Sequence, residues 1–109
     1  MSRPVVAANP SQVVMAMVNL RGWRLHGEGE QIALEKDWRF GSHAHAMLFV
    51  NALGWLAESM NHHPEVVLNY AHCVVRWRTH DVKGLSTLDF DAAQRTDALR
   101  TDALPGAAA

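Results

Sequence analysis

Two histidines stand side by side near the middle of the chain, in the stretch ESMNHHPEV at residues 58–66. Glu58 lies four residues before His62, so on a helix its carboxylate could reach that imidazole and fix its tautomer. A third histidine, His80, follows in the stretch RTHD. Imidazoles titrate at about pH 6.5, so a group of them can both donate and accept protons near neutral pH. The chemistry that these residues could perform is general acid–base catalysis.

The same histidines also allow a purely structural role. His62 could interact with the C-terminus of a helix, where the helix dipole favours a positive charge. His63 and His80 would then be exposed side chains without a function. Spacing alone slightly favours this structural role.

A metal site is not expected. The pairs HAH at 43–45 and HH at 62–63 contain residues that bind zinc, but residues one or two apart on a helix do not face the same way. No Cys-x-x-Cys or His-x-x-x-His pattern occurs. His43 and His45 are expected on a solvated helix surface, and His26 and His72 on strands, exposed or half-buried.

Length and composition limit the class of protein. The chain has 109 residues, which suits one domain, and a net charge of −1, which gives no basic field for nucleic acid or an anionic membrane. The one cysteine, Cys73, cannot form an internal disulfide, which is typical of a cytoplasmic protein. No apolar run reaches the roughly 18 residues that a membrane helix needs, and the N-terminus does not resemble a signal peptide. We therefore expect a small molecule or another protein surface as partner.

The first half of the chain predicts a helix and a hairpin that would support the histidines. The helix has Asn9 as its cap, proline in its first position and Gly22 as its stop. Residues 23–40 predict a hairpin that turns at Gly27 and Gly29, because apolar and polar residues alternate in its second arm.

The second half predicts a long helix, a strand region and a last helix. Ser42 caps a helix that runs to about Met60 and is ended by the His-Pro pair. Residues 66–80 predict one long or two shorter strands with one apolar face, so helices would cover one side of an antiparallel sheet. Ser86 or Thr87 caps the last helix. These elements indicate the α+β class.

Three regions follow from this pattern. Residues 1–9 are predicted to form a flexible arm, residues 10–99 the folded domain, and residues 100–109 a flexible tail. The sequence RTDAL occurs at 95–99 and again at 100–104, but it is too short to define a repeat architecture.

The order of the site residues resembles the pterin-4a-carbinolamine dehydratase family. The family's motif consists of an acidic residue, His-His-Pro, an aromatic residue, Thr-His, Gly-Leu-Ser or Gly-Leu-Thr, and an aspartate. Each part is present at the right spacing: Glu58, His62, His63, Pro64, Tyr70, Thr79, His80, Gly84, Leu85, Ser86 and Asp89. With the Gly-Trp pair at 22–23, the resemblance covers roughly residues 10 to 99.

The resemblance implies a fold and an assembly. The fold would be a four-stranded antiparallel sheet with helices packed on one face, in the order α-β-β-α-β-β-α. The protein would form homodimers or homotetramers, with sheets joined edge to edge and the last helix supplying a second contact.

The resemblance also implies a reaction. A 4a-hydroxytetrahydropterin, released by aromatic amino acid hydroxylases, would lose water to give quinonoid dihydropterin in tetrahydropterin recycling, without a metal or cofactor. His62, His63 and His80 would be catalytic, and the substrate-binding residues would be Glu58, Asn61, Pro64, Thr79 and Asp89. Asp89 would orient a histidine.

Members of the same family also act as a dimerisation cofactor for a transcription factor or assist enzyme assembly. The alternative function is therefore a non-catalytic binding or assembly protein on the same fold. The presence of all three histidines favours the dehydratase.

Overall fold

The computed structural model describes residues 5–100, in which three helices pack on one antiparallel sheet. The elements are α1 Pro10–Met17, β1 Arg24–His26, β2 Ala33–Arg39, α2 His43–Met60, β3 Glu65–Asn69, β4 His72–Trp77 and α3 Thr87–Asp97. Two short 3-10 helices, Gly29–Gln31 and His80–Val82, join them. The strand order is β1-β2-β4-β3, with every neighbouring pair antiparallel. The predicted α+β class and element order are confirmed.

Helix α1 is shorter than the sequence indicates. Its start is as expected, since Asn9 and Gln12 form a reciprocal capping box. The predicted stop at Gly22 is wrong, because the helix ends at Met17. Beyond it the backbone makes tight turns, and Leu20 is buried in the core. The helix ends before Gly22 because Leu20 must turn toward the core.

The sequence predicted either one long strand or two shorter strands in this region, and the structure has two. The break is a tight turn at Tyr70, which has a positive φ of 56°, and Asn69 pairs directly with His72. On β4 the apolar residues Cys73 and Val75 are buried, and Trp77 with them. The expected alternation of apolar and polar faces is therefore confirmed.

The core lies between the sheet and the helices. It includes Phe49 and Leu53 of α2, Trp77 and Leu34 of the sheet, and small residues of α3. Trp77 is fully buried and donates its indole N–H to Thr96 of α3 at 3.0 Å. This packing fixes the end of β4, which leads directly into the segment that carries His80.

The opposite face of the sheet carries a charged cluster. Glu35 of β2 is only 4% exposed because Arg24 and Arg76 lie against its carboxylate from the two neighbouring strands. Burial by itself raises the pKa of Glu35, but hydrogen bonds from Arg76 and Arg24 outweigh burial and leave that pKa below its usual value. The cluster joins three strands on the sheet face opposite the described helices.

The ends of the chain are described in part. Residues 5–9 of the predicted arm contact the segment before α3: the N–H of Ala8 donates to the carbonyl of Leu85 at 2.7 Å, and Ala7 forms a bridge with Ser86. Of the predicted tail only Arg100 belongs to the described residues, so the second RTDAL copy lies outside them. The flexibility of arm and tail stays a prediction. Within residues 5–100, none of the helices has the length and apolar character needed to span a membrane.

Candidate active site

The two adjacent histidines lie where helix α2 ends. Asn61 adopts the left-handed conformation, with φ 49° and ψ 42°, which asparagine tolerates better than most residues. The N–H of His62 then donates to the carbonyl of Ala57 at 3.2 Å, as in a Schellman motif. Because the backbone turns here, His62 and His63 leave the helix in different directions.

His62 points into the protein and is held on two sides. Its Nε2 lies 2.8 Å from Oδ1 of Asp89, and its ring stacks on Trp77 with the centroids 5.3 Å apart. The side chain of His62 is 10% exposed, whereas that of Asp89 is 0% exposed. The imidazole is therefore fixed in position before any ligand binds.

Asp89 is the centre of a buried hydrogen-bond network. Its Oδ2 accepts from the hydroxyl of Thr79 at 2.7 Å and from the N–H of Ser86 at 2.9 Å. The hydroxyls of Thr79 and Ser86 lie 2.6 Å apart. A carboxylate accepts hydrogen bonds and has none to donate, so Nε2 of His62 carries the proton of the His62–Asp89 bond. Nδ1 is the ring nitrogen that remains for a substrate.

His63, rather than its neighbour His62, is the histidine that pairs with Glu58. The carboxylate of Glu58 contacts Nε2 of His63 at 2.8 Å, and the side chains are 58% and 70% exposed for His63 and Glu58. The predicted Glu58–His62 pair is wrong, because the left-handed Asn61 turns His62 inward and leaves His63 above the last helical turn. Exposed pairs of this kind contribute about 0–1 kcal/mol to stability.

A cleft of about 680 Å³ opens at this end of the molecule. Five of the predicted site residues line it, namely Asn61, His62, His63, Thr79 and His80. The other three do not: Asp89 lies behind His62, Glu58 reaches the cleft only through His63, and Pro64 is half-buried just before β3. The structure thus brings the three predicted catalytic histidines to one cleft.

Several residues around the cleft were not predicted as site residues. Arg78, Asp81, Met60, Leu88 and Val5 complete its lining. Trp77 and Ser86 support His62 and Asp89 from behind. Ser86 could have been found, since a serine three residues before an acidic residue at a helix start predicts a capping box.

The remaining histidines lie away from the cleft. On the sheet face that carries the charged cluster, His26 lies 3.3 Å from one carboxylate and His72 lies 3.4 Å from another. His43 contacts the carbonyl of Tyr70 at 2.6 Å, and the ring of His45 lies beside an aromatic ring. Across the described part of the chain, no group of three or more His, Cys, Asp or Glu side chains could hold a metal ion.

Comparison with known protein families and sequences gives one consistent result. The family model described as Pterin 4 alpha carbinolamine dehydratase matches residues 7–99. A protein of Paracidovorax citrulli, provisionally named a pterin-4-alpha-carbinolamine dehydratase, is 44% identical over 93 residues, which cover 85% of this chain and 80% of the relative. A protein of Stenotrophomonas maltophilia with the same provisional name is 49% identical over 84 residues, covering 77% and 70%.

Solved structures that share the fold include the following two. The crystal structure of a transcriptional coactivator/pterin dehydratase from Brucella melitensis superposes with a TM-score of 0.79 at 27% identity, covering 85% of this chain and 97% of the other. A pterin dehydratase-like protein identified as a RuBisCO assembly factor in the alpha-carboxysome superposes with a TM-score of 0.61 at 25% identity, covering 72% and 88%.

Proposed function

Because the chain belongs to the pterin-4-alpha-carbinolamine dehydratase family, we propose that it converts a 4a-hydroxytetrahydropterin to quinonoid dihydropterin and water in tetrahydropterin recycling. In this reaction the bond between the 4a carbon and its hydroxyl oxygen breaks. The departing oxygen takes up a proton, the adjacent ring nitrogen loses one, and its electron pair forms the new carbon–nitrogen double bond. The reaction therefore needs one proton donor and one proton acceptor.

The observation that carries the proposal is the pair of His62 and Asp89. With Nε2 held by the carboxylate at 2.8 Å, a neutral His62 has a lone pair on Nδ1 and can accept a proton there. The charge of Asp89 then stabilises the imidazolium that forms, as a buried carboxylate does for a catalytic histidine. We assign the removal of the ring-nitrogen proton to His62.

The exposed histidines of the cleft are suited to the other half of the reaction. His63 and His80 line the cleft and are exposed, so they can exchange protons with water between turnovers. His63 also contacts the carboxylate of Glu58 at 2.8 Å. We propose that one of these two delivers the proton to the departing hydroxyl. The cleft volume of about 680 Å³ lies in the range of small-molecule sites.

A direct assay tests this proposal. The decay of a freshly generated 4a-hydroxytetrahydropterin is followed by absorbance, with the protein and without it. Acceleration that survives treatment with a metal chelator supports the histidine mechanism. No acceleration by folded protein contradicts the proposal, and acceleration lost on chelation contradicts the metal-free mechanism.

A second function is favoured by one comparison. The pterin dehydratase-like relative identified as a RuBisCO assembly factor shares the fold at a TM-score of 0.61, so a binding or assembly role is the alternative for this chain. The two functions differ in the assay above. A folded protein that leaves the decay rate unchanged would favour the assembly role.

We also propose that the protein is cytoplasmic and forms at least a homodimer. The sheet ends in β1 and β3, and open edges of this kind are commonly paired or covered. The expected second contact through α3 is less well supported. Ala92 and Ala93 of this helix are buried inside the protomer and leave less apolar surface for a partner. Sedimentation equilibrium measures the mass, and a monomer of 12.1 kDa at micromolar concentration would contradict the dimer.

A further inference from the structure

Arg78 occupies a wall of the histidine cleft. It directly follows the last residue of β4, Trp77, and precedes Thr79 and His80. The alternation of the strand places Trp77 in the core and Arg78 on the other side. A cationic side chain is thus held at the cleft by the same segment that supplies one of its histidines.

The guanidinium of Arg78 has almost no partner in the described part of the chain. Its side chain is only 28% exposed, and its one ionic contact is Nη2 to Glu65 at 3.9 Å, which is too long for a hydrogen bond. Its Nε is covered from solvent and has no acceptor among residues 5–100. A guanidinium has five N–H donors, and here none is satisfied by a described residue.

Two other arginines of the sheet, Arg24 and Arg76, have close acidic partners. Arg76 and Arg24 each pair with two acidic residues, and both bind the buried carboxylate of Glu35. Arg78 competes with Arg76 for Glu65, which lies closer to Arg76 at 3.4 Å. Covered donors without acceptors are costly and uncommon. A donor-rich side chain left unpaired at the wall of a cleft is therefore suited to a ligand that supplies the acceptor.

We propose that Arg78 is a substrate-binding residue whose guanidinium donates hydrogen bonds to an oxygen of the pterin. This inference rests on the proposed pterin substrate. The pyrimidinone carbonyl group of the pterin is bonded to the 4a carbon through its own carbon. A ligand placed with its 4a carbon at the histidines therefore brings this acceptor oxygen to the same part of the cleft. Arginine is matched to such an acceptor because its charge strengthens each hydrogen bond.

Arg78 contributes to ground-state binding in this scheme, since the carbonyl is present in substrate and product alike. Uniform binding lowers KM and leaves kcat unchanged. Loss of a hydrogen bond to a charged group is expected to weaken binding by about 10- to 100-fold. Arg78→Met keeps the length and apolar stem of the side chain but removes its donors. Arg78→Lys keeps the charge without the planar fork, so it should lose less.

The test uses the full chain and 7,8-dihydrobiopterin, a reduced pterin without the 4a-hydroxyl. Its dissociation constant is measured by tryptophan fluorescence for the wild type, Arg78→Met, Arg78→Lys and Arg39→Met. Arg39 is the matched control, because it is exposed and does not line the cleft. We expect Arg78→Met to bind about 10- to 100-fold more weakly, Arg78→Lys to be intermediate, and Arg39→Met to equal the wild type. In the dehydration assay KM should rise while kcat holds.

The outcomes separate this inference from the proposed function. A wild-type protein that binds and dehydrates pterin, together with an Arg78→Met variant of equal affinity, overturns the inference alone. A loss confined to kcat overturns it too, since Arg78 would then act on the reaction rather than on binding. Should Arg78→Met fail to fold, unchanged affinity in Arg78→Lys overturns it. A wild type that neither binds nor dehydrates pterin removes the proposed function and this inference with it.

Discussion

Replacement of Asp89 by asparagine exchanges one oxygen of the buried network for an NH₂ group and should invert its hydrogen bonding. Oδ2 of Asp89 accepts from Thr79 and from the N–H of Ser86, while Oδ1 faces His62. If the amide oxygen of the introduced asparagine keeps the first two bonds, its NH₂ group faces Nε2 of His62. Two donors cannot face each other, so the neutral imidazole must move its proton to Nδ1.

The magnitude of this change follows from the hydrogen bonds that Asp89 makes. Asp89 is 0% exposed, and its three bonds at 2.7–2.9 Å become neutral ones or are reversed. A hydrogen bond to a charged group contributes about 1.5–3 kcal/mol, so the free energy of unfolding should fall by about 2–4 kcal/mol. Activity should fall by about 100-fold or more, because Nδ1 of His62 would then donate rather than accept and general base catalysis would be lost.

Two measurements separate these effects. Urea denaturation gives the free energy of unfolding, and the dehydration assay gives kcat for the variant in its folded state. Asp91→Asn on the same helix is the control. Among the described residues the side chain of Asp91 makes only an exposed pair with Arg95, so this substitution should change either quantity little. A folded Asp89→Asn variant with the kcat of the wild type would refute the assignment of His62 as a base oriented by Asp89.

Three further predictions concern other contacts. Glu58→Gln should change the free energy of unfolding by less than about 1 kcal/mol, because its pair with His63 is exposed, and a larger loss in urea denaturation would contradict this. Glu35→Gln should cost about 2–4 kcal/mol at pH 7. Hydrogen bonds from Arg76 and Arg24 outweigh burial and leave the pKa of Glu35 below its usual 4.5. The stabilisation by Glu35 is therefore complete above pH 4.5 and is lost as pH falls through the lower pKa of the folded state. A wild type that remains more stable than Glu35→Gln at the acid end would contradict this prediction. Burial raises the pKa of the Cys73 thiol to about 11, so a thiol reagent should label it only in denaturant, and rapid labelling of the native protein would show that the thiol is accessible.

Local patterns in the sequence predicted most of the fold. The alternation in β2 and β4 and the cap at Ser42 predicted elements that the structure confirms. The end of α1 was missed because Leu20 is required by the core, which no local pattern indicates. The turn between β3 and β4 was not located, because the positive φ falls on Tyr70 rather than on a glycine or on Asn69.

The site was harder to predict from the residues themselves. His62 and Asp89 are 27 residues apart in sequence, and only the family resemblance placed them together. The wrong partner for Glu58 shows why. Helical spacing applies to His62 only if the helix continues, but the helix ends at Met60 and Asn61 is already left-handed. Strand alternation placed Arg78 on a polar face but could not show that this face ends at a cleft.

The most direct test of the central claim is the rate of dehydration by His62→Ala compared with the wild type. Both are measured with the same freshly generated 4a-hydroxytetrahydropterin, and circular dichroism establishes that the variant is folded. If His62 is the base, the wild type should accelerate the decay and His62→Ala should be slower by about 100-fold or more. Equal acceleration by the two proteins would contradict acid–base catalysis at the pair of His62 and Asp89.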